Sequence, residues 1–372
     1  MLQSVKILSF VILMFTFFKL PSKKILKIYH LDCGRKYFSL KEIKYIIDLL
    51  SENNFTYLEL AIGNGGMRFL LDSMTINSLG KTYDSDDVKK YINEGNKIFY
   101  DSGEKNELTQ DEMDEIINYA LKKKIKIIPL FNSPGHMDVL IYIMEILTGK
   151  DISFENSVET IDITNEISID FTKQILKLYL DYFKGKNIEY FNIGCDEYGN
   201  DLKKLEICGF QYLINEGKYG NLIKYINEIA ELVKSANMKV MAFNDPFYYN
   251  NREYGLVENE IYKFDKDIII SYWCPGNKKQ KYASAKKLLD LGFRIINTSR
   301  NWYYDLGRFF DKNSLQNAVY DDVIGTGTMP VIGCMVCFWT DDSWVEFEGE
   351  EVENVKNQIS YFAKANLGIF KK

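Results

Sequence analysis

Eight apolar, strand-like runs recur along this chain, and stretches with helical periodicity separate several of them. The runs are residues 25–32, 57–62, 125–131, 189–195, 238–244, 267–273, 293–298 and 331–339. Between them, Ser39 is placed to cap a helix over 40–50, with Ile43, Ile46, Ile47 and Leu50 on one face. Thr109 is placed to cap another, whose stripe is Met113, Ile116, Ile117 and Ala120. Helices also fit 171–183, 219–235, 283–291 and 352–365. Strand alternating with helix builds a parallel sheet. Eight such strands in 372 residues, with no Pro/Gly/Ser-rich linker, predict an α/β fold: a single (β/α)₈ TIM barrel over 25–372. Its main enlargement is the loop after strand 2, residues 63–108, with a small hairpin predicted over 75–82. Loops of this kind sit over the barrel mouth and shape the pocket.

The N-terminus has a different character. Lys6 precedes the apolar run Ile7–Phe18, and Lys19 and Pro21-Ser-Lys-Lys24 follow it. A short positive region, an apolar core and a polar stop read as a signal peptide over 1–24. No small-x-small cleavage site is evident, so the segment also reads as an uncleaved signal anchor. The expected location is secreted or at the cell surface, held to the membrane through this segment.

Charge and metal-ligand content remove several classes. A net charge of −6 gives no basic surface for nucleic acid. Two His (30 and 136) and six Cys without ligand spacing leave no metal site, and no cofactor is expected. The six Cys read as buried small hydrophobes. Cys334 and Cys337, three apart on a strand, should face opposite sides. His30, inside the first strand, reads as a satisfied core or barrel-lining histidine.

Polar and aromatic residues gather where the predicted strands end. The segment FNIGCDEYGN (191–200) runs an apolar strand into Asp196 and Glu197. Other ends carry Asp32 and Arg35, His136, Asn244 and Asp245, Trp273, Trp302 to Asp305, and Trp339 with Asp341 and Asp342. In a barrel these ends meet at one face. Carboxylates, an Arg and Trp faces around a pit suit a neutral polyol: acids bind hydroxyls and donate protons, and rings cover the apolar C–H surface of a sugar.

Seven segments in order carry a resemblance: HLDCGRKYFS, IIPLFNSPGHM, FNIGCDEYGN, MAFNDPFYY, IISYWCPG, NTSRNWYYDLG and GCMVCFWTDD. Together they resemble glycoside hydrolase family 20, the β-N-acetylhexosaminidases, and most of all the surface exo-β-N-acetylglucosaminidases of Gram-positive bacteria. The resemblance implies a retaining hydrolase acting on glycans with terminal β-linked N-acetylhexosamine. In that family the substrate's own 2-acetamido oxygen attacks C1 and forms an oxazolinium, one of the exceptions to the two-carboxylate scheme. It implies Glu197 as general acid and then base, Asp196 as the carboxylate that holds the acetamido N–H, and Tyr303 as the hydroxyl on the acetamido oxygen, with Tyr304 adjacent. Arg35 matches the arginine on ring hydroxyls. Trp273 and Trp339 match pocket walls, and Phe243 stands where many members have a third Trp. Asp341 matches an acid on the outer hydroxyls, usually Glu. His136 matches a histidine supporting Glu197.

Departures from the broader family pattern are Leu130 and Asn132 before Pro-Gly-His, Asn192 and Cys195 around the acid pair, and Asn64 in place of an Asp. With Asn64 neutral, the acid network that would charge His136 is weaker. Two alternatives stay open: a catalytically silent glycan-binding protein on the same barrel, or another family 20 specificity (lacto-N-biosidase, or GalNAc release).

Overall fold

The computed structural model describes residues 24–100, 106–202, 209–247, 258–276 and 282–371. The signal segment, apart from Lys24, lies outside the described residues, as does Cys208. Among the described residues no helix is long and apolar enough to cross a membrane.

Eight parallel strands close into a barrel. They are β1 (Leu26–Leu31), β2 (Tyr57–Gly63), β3 (Lys126–Phe131), β4 (Tyr190–Asn192), β5 (Lys239–Phe243), β6 (Ile269–Tyr272), β7 (Arg294–Asn297) and β8 (Gly333–Trp339). Each pairs with the next, and β8 returns to β1 over six residue pairs, which completes the ring. A two-residue strand, Tyr304–Asp305, adds to the upper edge of β8. The predicted barrel is therefore the observed one.

Period-two alternation explains the two cores. Leu26, Ile28, Tyr57, Ile128, Leu130, Met241, Ile269, Ile296, Met335 and Cys337 fill the lumen. Their strand neighbours, such as Tyr29, Leu58 and Val240, pack outward against the helices. Cys334 faces outward and Cys337 inward, as their spacing requires. The five described cysteines are free and buried. His30 and Glu59 fall on inward positions, where His30 Nδ1 lies 2.8 Å from Glu59 Oε1 and Asn192 Nδ2 donates to Glu59 Oε2 at 3.0 Å. His30 is only half satisfied, because its buried Nε2 has no partner.

Two of the predicted helices start at the caps the sequence offers. Ser39 caps Leu40–Glu52 and Thr109 caps Gln110–Lys122, both as capping boxes with Glu42 and Glu112. Two long helices escape the pattern. Asp138–Thr148 is apolar on nearly every side, and its N-cap Met137 makes no side-chain bond. Ser85–Phe99 buries only Val88, Ile92, Gly95 and Asn96, too narrow a stripe to stand out. The enlarged loop is thus a hairpin (Ile76–Ser78 with Lys81–Tyr83) followed by a helix.

At the barrel floor, Lys126 and Lys239 flank Glu189 at 3.1 and 2.9 Å, and the Tyr57 hydroxyl donates to it at 3.1 Å. Partial burial pushes the Glu189 carboxyl up, but the two lysines outweigh it and hold its pKa at about 2, below the ordinary 4.5. A depressed folded pKa stabilises fully above the unfolded value and is lost as pH falls through the folded one. Acid unfolding of wild type should therefore steepen between pH 4.5 and about 2 relative to Glu189→Gln. Parallel melting curves for the two proteins across that window would refute the assignment.

Candidate active site

The inward register that fills the lumen ends in the pocket. Phe243 follows Met241 on β5, Trp339 follows Cys337 on β8, and Trp273 stands just past β6 after Ile269 and Ser271. All nine residues singled out from the sequence line one cavity of about 180 Å³: Arg35, His136, Asp196, Glu197, Phe243, Trp273, Tyr303, Trp339 and Asp341. That size falls below the roughly 300–1,000 Å³ of pockets for drug-sized ligands and suits a single ring.

The acid pair reaches the pocket by a route other than the one expected. The strand stops at Asn192, not at Cys195, and Gly194, Cys195 and Glu197 take left-handed φ values of 70°, 73° and 52°. The chain coils back on itself, so two sequence neighbours can face the same space. Gly135 leaves the room this needs, since a Cβ there would lie 2.6 Å from the Asp196 carbonyl oxygen.

The two acids sit in unlike settings. Asp196 Oδ1 accepts from Asn132 Nδ2 at 2.7 Å, and its Oδ2 lies 3.3 Å from His136 Nε2. Burial opposes its charge, but His136 and these bonds win and hold the carboxyl below its ordinary range. Glu197 Oε2 lies 3.5 Å from the same Nε2, with 34% of its side chain exposed against 14% for Asp196.

Burial also opposes a charge on His136, yet Asp196 and Glu197 raise its pKa well above the usual range. The sequence pointed to weak charging because residue 64 is Asn. The structure corrects this: the charge comes from the acid pair itself, while Asn64 Oδ1 accepts from Asn132 Nδ2 at 3.0 Å. Arg35 Nη2 stands 3.3 Å from His136 Nδ1. That contact is a hydrogen bond only when the ring is neutral with its proton on Nε2. In the charged ring it opposes two donors, and the carboxylates on the far side offset it.

Arg35 is held by Asp32, buried at 2.7 Å, and by Asp341 at 3.2 Å. Burial pushes Asp32 up, and Arg35 more than reverses this. Tyr303 lies nearly parallel to Trp273 (19°, centroids 6.3 Å apart) and edge-on to Trp339. Tyr304 faces away from the pocket, stacked on Phe338 with its hydroxyl on Glu351.

Two residues escaped a firm reading. Asp305 lines the same pocket, and burial together with the neighbouring Asp341 pushes its pKa to about 6. Its position, two residues past Tyr303 on a two-residue strand, was the available signal. Asp245 lies beneath the pocket, bonded to Trp273 Nε1. Tyr198 packs outward on Phe154.

Among known proteins, the family model for the catalytic domain of glycosyl hydrolase family 20 matches residues 27–345. A solved structure of the catalytic modules of the pneumococcal exo-β-D-N-acetylglucosaminidase StrH is 37% identical, covering 92% of this chain and 84% of that one, with a TM-score of 0.84. Lacto-N-biosidase of Bifidobacterium bifidum is 23% identical over 274 residues, 69% of this chain. The match spans only 23% of that relative's length. Dispersin B shares the fold at 18% identity and TM-score 0.67, covering 93% of this chain and all of that one.

Proposed function

The chain belongs to glycosyl hydrolase family 20, and on that premise we propose that it is a retaining exo-β-N-acetylglucosaminidase using the substrate's acetamido group as nucleophile. The carrying observation is the unequal setting of the acid pair. Asp196 is fixed from two sides and kept ionised, which suits a group that orients an N–H and balances charge on a forming oxazolinium. Glu197 stands at the open side within reach of His136, which suits a group that gives a proton to the departing oxygen and takes one from water.

Tyr303, between Trp273 and Trp339, offers a donor for the acetamido oxygen. Phe243 and the two tryptophans supply apolar faces for the methyl group and the ring. Arg35, Asp305 and Asp341 present charged partners to the outer hydroxyls. His136, shared by both acids, compensates the anion that appears on Glu197 when its proton leaves.

The test is release of 4-nitrophenol from the β-GlcNAc glycoside, with the β-GalNAc and lacto-N-biose glycosides beside it. Turnover of the first above the other two is expected. Preference for lacto-N-biose would move the chain to biosidase specificity. Binding of the sugar by calorimetry without turnover would make it a silent glycan binder.

A further inference from the structure

We propose that Asp245 is a positioning residue that ties the proton donor to the wall of the acetamide pocket, one oxygen accepting from the Glu197 backbone and the other from the Trp273 indole. The inference rests on the reading of Glu197 and Trp273 given above and adds a residue that touches neither substrate nor pocket.

The geometry is specific. β5 ends at Phe243, and the next two residues both reach Trp273. Asn244 Oδ1 accepts the Trp273 backbone N–H at 2.8 Å, and Asn244 Nδ2 donates to the Cys274 carbonyl at 2.8 Å. Asp245 Oδ2 accepts from Trp273 Nε1, so Trp273 is held at its backbone and at its indole. Asp245 Oδ1 accepts from Glu197 N at 3.4 Å. Glu197 has a φ of 52°, a conformation disfavoured for a residue with a Cβ, so it needs partners to hold it. Trp273 in turn lies parallel to Tyr303. One carboxyl group thus links the proton donor, the pocket wall and the acetamide hydroxyl.

The chemistry explains why an acid sits there at a cost. Asp245 is fully buried. Burial, and then the Asp196 charge, push its carboxyl well above the ordinary range. An apolar side chain of the same size would avoid that cost. Both groups it meets, a backbone N–H and an indole N–H, are donors only, so the position requires two acceptors. A carboxylate supplies two, one on each oxygen, and an amide supplies only one.

The experiment compares Asp245→Asn, Trp273→Phe and the double variant on methyl and 4-nitrophenyl β-GlcNAc glycosides. A methoxide leaving group needs a well-placed proton donor, and 4-nitrophenolate needs little help. Asp245→Asn should therefore lose at least about tenfold more kcat on the methyl glycoside than on the aryl one, within the usual range for general acid catalysis. Its Tm should stay near wild type. The double variant should lose less than the product of the singles, because both break the same indole bond.

Equal losses on the two glycosides, or fully multiplicative losses in the double variant, would overturn the proposal. Wild type inactive on both glycosides would instead sink the assigned activity. The inference would then be read from N-acetylglucosamine-thiazoline affinity by Trp fluorescence. Asp245→Asn should weaken that binding, and unchanged affinity would overturn the proposal there too.

Discussion

Glu197→Gln should lower kcat on methyl β-GlcNAc by at least about 10²-fold, the lower range for a lost acid–base group. The loss on the 4-nitrophenyl glycoside should be smaller in the first chemical step. The substitution keeps the shape of a side chain that is one-third exposed at the mouth, and removes only the proton it exchanges. Asp196→Asn should be as severe on both glycosides, because its effect is electrostatic and does not depend on the leaving group. It also takes away the main charge that raises the His136 pKa, so His136 should titrate lower in that variant. Steady-state rates with both glycosides check the first claim, and the NMR titration of the His136 ring checks the second. A Glu197→Gln enzyme with the same fractional loss of kcat/KM, which reports the first chemical step, on both glycosides would show that Glu197 is not the proton donor.

Much of this was legible in the sequence because strand ends and helix caps mark definite positions. Strand-end position and the family resemblance pointed to Trp273 and Trp339, and the resemblance alone to Phe243; the structure sets all three above inward residues that fill the lumen. The caps Ser39 and Thr109 marked two helix starts to the residue. What stayed hidden depends on contacts between distant segments. The left-handed turn through Cys195 and Glu197 could not be read from a strand pattern, since neither residue type announces a positive φ. The route to a charged His136 was hidden for a similar reason. Asn64 looked like a lost partner, when the partner was Asp196 on another loop. Asp245 and Asp305 were two acids among 52, and only their placement separates them from the rest.

Replacing the 2-acetamido group by hydroxyl, in 4-nitrophenyl β-glucoside, should lower kcat/KM by at least about 10³-fold, well within the effective molarities of about 10⁵–10⁸ M reached by well-placed intramolecular groups. The reason lies in Asp196. Its two oxygens are already engaged by Asn132 and His136, and its backbone carbonyl abuts Gly135, so it is held in place. A retaining enzyme with a protein nucleophile sets its two carboxyls about 5–5.5 Å apart, on opposite sides of the bond it cuts. Asp196 and Glu197 are neighbours in sequence and share one imidazole nitrogen, at 3.3 and 3.5 Å. In the proposed mechanism the attacking atom comes from the substrate. The glucoside carries no such atom, and its loss should fall on kcat as well as on KM, which also rises because the acetamide contacts are gone. A glucoside turned over within tenfold of the GlcNAc glycoside, with that turnover abolished by Asp196→Asn, would reverse the assignment and make Asp196 the nucleophile.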